Sequence, residues 1–116
     1  TVARFMEDGV ARIAEAAWDA IDAQNVVSEL LFPIFQGAVY DYPFVEVQPI
    51  IREYYERLGP DRLCWASDMP NVERHATYTQ SLSYLRDYCD FIPRRDMDKI
   101  LGGNIARLFG VVAHPR

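Results

Sequence analysis

The sequence predicts an α/β fold of about two parallel strands with flanking helices, and three observations predict it. Two short apolar runs, residues 26–32 and 62–67, have strand length, and the first lacks the alternation of a half-exposed strand. Segments with apolar residues at i, i+3, i+4 and i+7 lie before, between and after these runs. Strands that alternate with helices point to βαβ connections and a parallel sheet.

From the N-terminus, Val10, Ile13, Ala14, Ala17, Trp18 and Ile21 recur at helical spacing, with Arg12, Glu15, Asp19 and Asp22 between them. That spacing predicts an amphipathic helix over about 8–23, stopping before Gln24-Asn25. Val26, Val27, Leu30, Leu31 and Phe32 then suit a strand covered on both faces, with Glu29 as the odd member. Residues 33–43 hold two prolines, Gly37 and two tyrosines, and read as a long loop. Val47, Ile50, Ile51, Tyr54, Tyr55 and Leu58 return to helical spacing, which puts Pro49 in the first turn. Gly59-Pro60 ends that helix, because Gly takes left-handed backbone and Pro cannot continue the helix.

The second strand, 62–67, halts at Asp68-Met69-Pro70. A polar loop runs through His75, and Tyr78, Leu82, Leu85, Tyr88 and Cys89 form the next helical stripe. Pro93 opens a short helix to Leu101, Gly102-Gly103 closes it, and Asn104 caps a last helix over 105–109 that Gly110 ends. No internal repeat or low-complexity segment is present.

Composition excludes several function classes. Of 116 residues, 50% are hydrophobic, 13% aromatic and 25% charged, which is too apolar for a disordered tail and ordinary for one soluble domain. Twelve Lys+Arg against 17 Asp+Glu give a net charge of −5 with no basic run, so no nucleic-acid partner is expected. No apolar stretch reaches the roughly 18 residues that span a bilayer, and the sequence given shows no n-region/h-region pair, so no export signal is expected. A soluble protein of the cytoplasm, with no membrane partner, is the expectation. Cys64 and Cys89 are far apart with apolar or aromatic flanks, which suits buried free thiols better than a disulfide.

Two strands are few for a parallel sheet, because each leaves unpaired backbone groups along an edge. The chain is therefore expected to form a homo-oligomer, to bind a partner, or to be a piece of something larger.

Asp68 is the most informative position. It follows an apolar strand, between Ser67 and Pro70. In α/β barrels, chemistry sits at the C-terminal ends of strands, and a carboxylate there ligates a metal or accepts a proton. Capping of the following turn is the competing reading, since Asx-turns are common at such positions. Ser67 and Cys64 lack a Gly-x-Ser-x-Gly elbow or an evident His partner, which leaves a small nucleophilic enzyme with little support.

The block DRLCWASDMPN (61–71), after ERLGP (56–60), resembles the last barrel strand of the amidohydrolase-related family of metal-dependent hydrolases and decarboxylases. LGGNIARLF (101–109) is similar to the helix motif that closes those barrels, and NVVSELLF (25–32) stands where the preceding strand would be. The resemblance covers nearly the whole chain, so residues 1–116 read as a single segment, the C-terminal part of a (β/α)8 TIM barrel. It implies that Asp68 binds the divalent metal, zinc by preference, or accepts the proton of the metal-activated water. Ala66 departs from the Gly that the family often carries. Asn104 and Arg107 fall in the closing helix motif, where capping and packing are the implied roles.

The resemblance also implies what is missing. The family's His-x-His pair and further ligands come from earlier strands, and a full barrel takes roughly 250 residues. A lone carboxylate does not hold a catalytic metal, which needs about three protein ligands. His75 is placed to approach the mouth of a site but reads more readily as a solvated loop residue, and His114 stands between Ala113 and Pro115 as an exposed terminal residue. Glu29, with Ser28, and Tyr40, with Asp41 and Tyr42, are candidates to line a pocket for a small-molecule substrate, against readings as satisfied strand and loop residues.

Two expectations follow. The chain is the C-terminal portion of a metal-dependent amidohydrolase-type hydrolase, or of a decarboxylase of the same family, incomplete and inactive alone. Alternatively it is a non-catalytic module that forms oligomers or binds a partner, burying Val26, Val27, Leu63 and Trp65.

Overall fold

The structure, a computed structural model, describes residues 6–7, 10–30 and 41–112. Its elements are strands β1 (Met6–Glu7) and β2 (Val10–Ala11), helix α1 (Glu15–Ile21), strand β3 (Ser28–Leu30), helix α2 (Gln48–Leu58), strand β4 (Leu63–Trp65), and helices α3 (Tyr78–Arg86), α4 (Arg94–Asp98) and α5 (Asn104–Leu108). β3 and β4 pair in parallel, with Ser28 opposite Leu63, Glu29 opposite Cys64 and Leu30 opposite Trp65. The predicted α/β class, with a two-stranded parallel sheet flanked by helices, is therefore observed.

The first predicted helix is too long. β1 pairs antiparallel with β2, Met6 opposite Ala11 and Glu7 opposite Val10, and helix begins only at Glu15. The apolar spacing from Val10 onward fitted a helix, but Asp8-Gly9 is a dipeptide favoured at two-residue hairpin connections. At Val10 and Ala11, antiparallel pairing with β1 takes the place of helical hydrogen bonding.

α2 matches its prediction closely. Pro49 occupies the first turn, where its missing N–H costs nothing, and Gly59 ends the helix at φ 73, ψ 164, a region open essentially to Gly alone. Before it, Phe44 is buried at φ 62, ψ 42. A left-handed aromatic residue is an outlier. Edge-to-face packing on Tyr42 and Tyr84, centroids 5.8 and 5.6 Å away, holds it there.

In α3 the helix is as predicted, and of the predicted stripe Leu85 and Cys89 face inward but Tyr78 and Tyr88 do not. Ser81, Tyr84 and Leu85 are buried, with Cys89 beyond the helix, whereas Tyr78 and Tyr88 are exposed. A small side chain at 81 lets the strand approach, and Trp65 Nε1 donates to the Ser81 carbonyl at 2.9 Å. The polar loop before α3 is itself structured: a 3-10 turn, Asn71–Arg74, tucks Val72 into the core, and Thr77 and Gln80 close a reciprocal capping box.

Gly102-Gly103 does not end a helix. The backbone runs on from α4 to α5 through a π turn, Lys99–Gly103. A Cβ at Gly103 would stand 3.3 Å from the Asp98 carbonyl, so the widened turn favours glycine there. Asn104 is consequently inside the helix and caps nothing. Its buried amide instead donates to the carbonyls of Pro60 and Leu63, at 2.7 and 2.8 Å. Gly110, at φ 64, ends α5 as predicted: its N–H reaches the Arg107 carbonyl and the Val111 N–H that of Ala106, the paired bonds of a Schellman motif.

The core lies between the sheet and the helices. Leu63, Val72, Leu85 and Ile100 are completely buried there. Both cysteines are buried and free, as the sequence suggested.

Candidate functional site

β4 carries its most unusual residue just past its C-terminal end. The last ladder-like contact is the Ala66 N–H to the Leu30 carbonyl at 3.3 Å, and the chain then turns at Asp68 with φ 54. Asp tolerates left-handed backbone better than most residues, yet the conformation still carries strain of order 1 kcal/mol. The turn is held by the Val72 N–H on the Asp68 carbonyl at 3.1 Å. Ser67 Oγ accepts a long contact of 3.4 Å from the Met69 N–H.

The Asp68 carboxylate is poorly satisfied. Oδ1 accepts one long hydrogen bond, 3.4 Å from Asn71 Nδ2. Oδ2 is buried and has no partner. No ion pair among the described residues includes Asp68. Asp96 also has a buried oxygen without a hydrogen bond, but its other oxygen accepts from the Tyr55 hydroxyl at 2.8 Å and Arg95 Nε lies 3.6 Å from the first. The capping reading finds no backbone N–H on the Asp68 carboxylate, since residue 70 is a proline and the turn that follows has no side-chain cap; one oxygen has only the long side-chain contact with Asn71, and the second has no hydrogen-bond partner among the described residues.

The other sequence candidates do not gather around it. Glu29 is exposed and level with Cys64, four residues before Asp68 along β4. As register partners in the parallel pair, Glu29 and Cys64 share one face of the sheet, and burial raises the Cys64 thiol pKa, with the Glu29 charge adding to it. Glu29 therefore breaks the expected coverage of β3 on both faces. His75 follows the Asn71–Arg74 turn, is exposed, and donates its backbone N–H to the Val72 carbonyl at 2.9 Å. Tyr40 and His114 lie outside the described residues. Tyr42, in contrast, is a packing residue whose hydroxyl meets Ser83 Oγ at 2.7 Å.

An orphaned carboxylate oxygen suits a metal ligand, but among the described residues no group of three His, Cys, Asp or Glu side chains could hold an ion. These residues alone do not fit a catalytic metal. The cavity of about 430 Å³ between α3 and α4, floored by Cys89, Ile92 and Met97, shares no lining residue with the strand end.

Sequence reasoning missed one structural residue and one surface. Arg62 binds the α1–β3 connection to the start of β4: its guanidinium donates to the carbonyls of Val26, Ile21 and Ala23 and to Asp22 Oδ1, at 2.9–3.1 Å. Asn104 fastens the same end from the helix side. The surface is an exposed apolar set, Ile105, Leu108, Phe109, Val111 and Val112, whose spacing was visible in the sequence. The apolar contact expected of an oligomer needs correction as well. Leu63 is already completely buried within one chain and is not free for an interface, whereas Val26, Val27 and Trp65 are half-buried, Trp65 with its Nε1 on the Ser81 carbonyl and its ring edge to face with Tyr78 at 5.7 Å.

No helix among the described residues is long and apolar enough to cross a membrane. Compared with known proteins, a family model described as amidohydrolase matches residues 5–111. No curated protein and no solved structure matches the chain.

Proposed function

The chain belongs to the amidohydrolase family, and from that premise we propose that it serves as an association module of the family, completed by a partner, rather than as a self-sufficient hydrolase. The observation that carries this reading is the run of large apolar side chains left open at and beyond α5. A monomer rarely leaves such a surface bare without a use for it. The β3–β4 pair adds to it, since among the described residues neither strand has a second neighbour in the sheet. Parallel sheets are normally extended and covered.

Light scattering on size-fractionated protein tests the reading. We expect a particle of twice the 13.4 kDa chain mass or more at micromolar concentration. A monodisperse monomer would overturn it.

A second reading is favoured by the unpartnered Oδ2 of Asp68. In it, Asp68 is one carboxylate of a site for a small-molecule substrate and a divalent ion, zinc by preference, in a hydrolase or decarboxylase whose other ligands come from outside the described residues. Glu29, Tyr40 and His75 would then be substrate-facing residues. Elemental analysis of the purified assembly decides: near-stoichiometric zinc, manganese or iron that is lost in Asp68→Asn supports this reading, and a metal-free assembly removes it.

A further inference from the structure

Resting on the association reading, we propose that the contact surface is the apolar face of α5 together with the residues that follow it, and that its occupant is a second copy of this chain. Asn104 and Arg107 turn one edge of α5 toward the N-terminal end of β4, Asn104 through Pro60 and Leu63, and Arg107 Nη2 through the Asp61 carbonyl at 2.8 Å. Ile105, Leu108 and Phe109 lie at i, i+3 and i+4, on one neighbouring face. They are 38, 54 and 77% exposed, and Val111 and Val112 extend the surface at 62 and 79%. Apolar residues scattered singly over a surface need no explanation, but five within eight positions do.

Charge and area select the occupant. The cations beside the stripe, Lys99 and Arg107, are matched by Asp61, whose carboxylate lies 2.9 Å from Lys99 Nζ and 4.0 Å from Arg107 Nη1. The stripe itself carries no charge and calls for no charged partner. An anionic lipid surface would be drawn by a polar face rich in Lys and Arg; α5 holds Arg107 alone. An uncharged apolar face is its own complement, and a two-fold pairing sets it against itself. At these exposures the five side chains offer roughly 500 Å² per copy, so a symmetric pair buries about 1,000 Å², the floor for a specific interface.

The test measures the oligomeric state of the full chain and three variants by light scattering over a concentration series. Wild type is expected to be a dimer. Phe109→Asp and Val112→Asp, at the two most exposed positions, should raise the dimer dissociation constant about 30-fold or more. Val45→Asp, at an exposed apolar residue ahead of α2, should leave it unchanged. A wild-type dimer that both α5-side variants leave intact would overturn this surface while the association reading stands, and a wild-type monomer would remove both. Assembly that grows with concentration beyond two chains would overturn the two-fold pairing. Should Phe109→Asp lose its helical circular dichroism, Val112→Asp, which lies beyond the helix, decides alone.

Discussion

At the N-terminal end of β4, Arg62 makes four hydrogen bonds and Asn104 two, all to groups 36 to 44 residues away in the chain. Just past the C-terminal end, Asp68 holds a left-handed backbone, accepts one 3.4 Å hydrogen bond and keeps a buried oxygen with no partner. Three residues of regular strand separate these two environments. The contrast matches the division of labour in α/β barrels, where residues below the strands secure the fold and residues above them are released for chemistry. The strain is tolerable because the lower end over-determines where the strand lies.

If the lower end is the anchor, removing Arg62 should do the most damage. Arg62→Ala leaves three carbonyls and Asp22 without their donor, and we expect a loss of roughly 3 kcal/mol in urea denaturation. Asn104→Ala removes two hydrogen bonds and strands two carbonyls at a site that is almost fully buried. It should cost about 2 kcal/mol. A loss below about 0.5 kcal/mol in both would break the comparison.

Much of the fold was legible because it depends on local physics. Strands at Ser28–Leu30 and Leu63–Trp65, inside the runs predicted at 26–32 and 62–67 (Leu31 and Phe32 lie outside the described residues), Pro49 in a first turn, Gly59 and Gly110 as stops, and Asp68 just past a strand end all follow from backbone preference and apolar spacing. What escaped was decided by distant partners. Nothing near Arg62 in the sequence announces the carbonyls of residues 21, 23 and 26, and Gly102-Gly103 reads as a stop until the bonds from Asn104 to β4 hold the helix through its π turn. The inward face of α3 was legible at Leu85 and Cys89 but not at Ser81, which is buried for its size and its carbonyl rather than for its hydrophobicity. Of the candidate residues, the sequence pointed most directly to Asp68, from its place after a strand, whereas the distance of Glu29 and His75 from it could not be read from spacing along the chain.

Between the two ends, Cys64 sharpens the contrast through pH. Its thiol is raised above the ordinary 9.0 by burial first and the Glu29 charge second, and burial pushes Cys89 up to about 12. A folded thiol that keeps its proton where the unfolded one has lost it contributes stability below the unfolded value, and that contribution is lost as pH rises. Denaturation midpoints should therefore fall steadily from about pH 9 toward pH 12, with both thiols slow to alkylate in the native chain at neutral pH. Rapid labelling of Cys64 at neutral pH would mean that the middle of β4 is open to solvent.

The smallest effect is expected at the tip, and its sign matters more than its size. Asp68→Gly removes a left-handed non-glycine residue and a buried unsatisfied oxygen, and each relief is worth about 1 kcal/mol. The unfolded chain gains freedom at a new glycine, which takes back roughly 0.5–1 kcal/mol. The net expectation is a stabilisation of about 1 kcal/mol, or a rise of ~4 °C in melting temperature, with Asp68→Asn near zero. A residue whose removal strengthens the fold is retained for something other than the fold. If Asp68→Gly instead costs as much as Asn104→Ala, Asp68 is a turn-forming residue, both ends of β4 are anchors, and the case for a carboxylate reserved for chemistry at this strand end is lost.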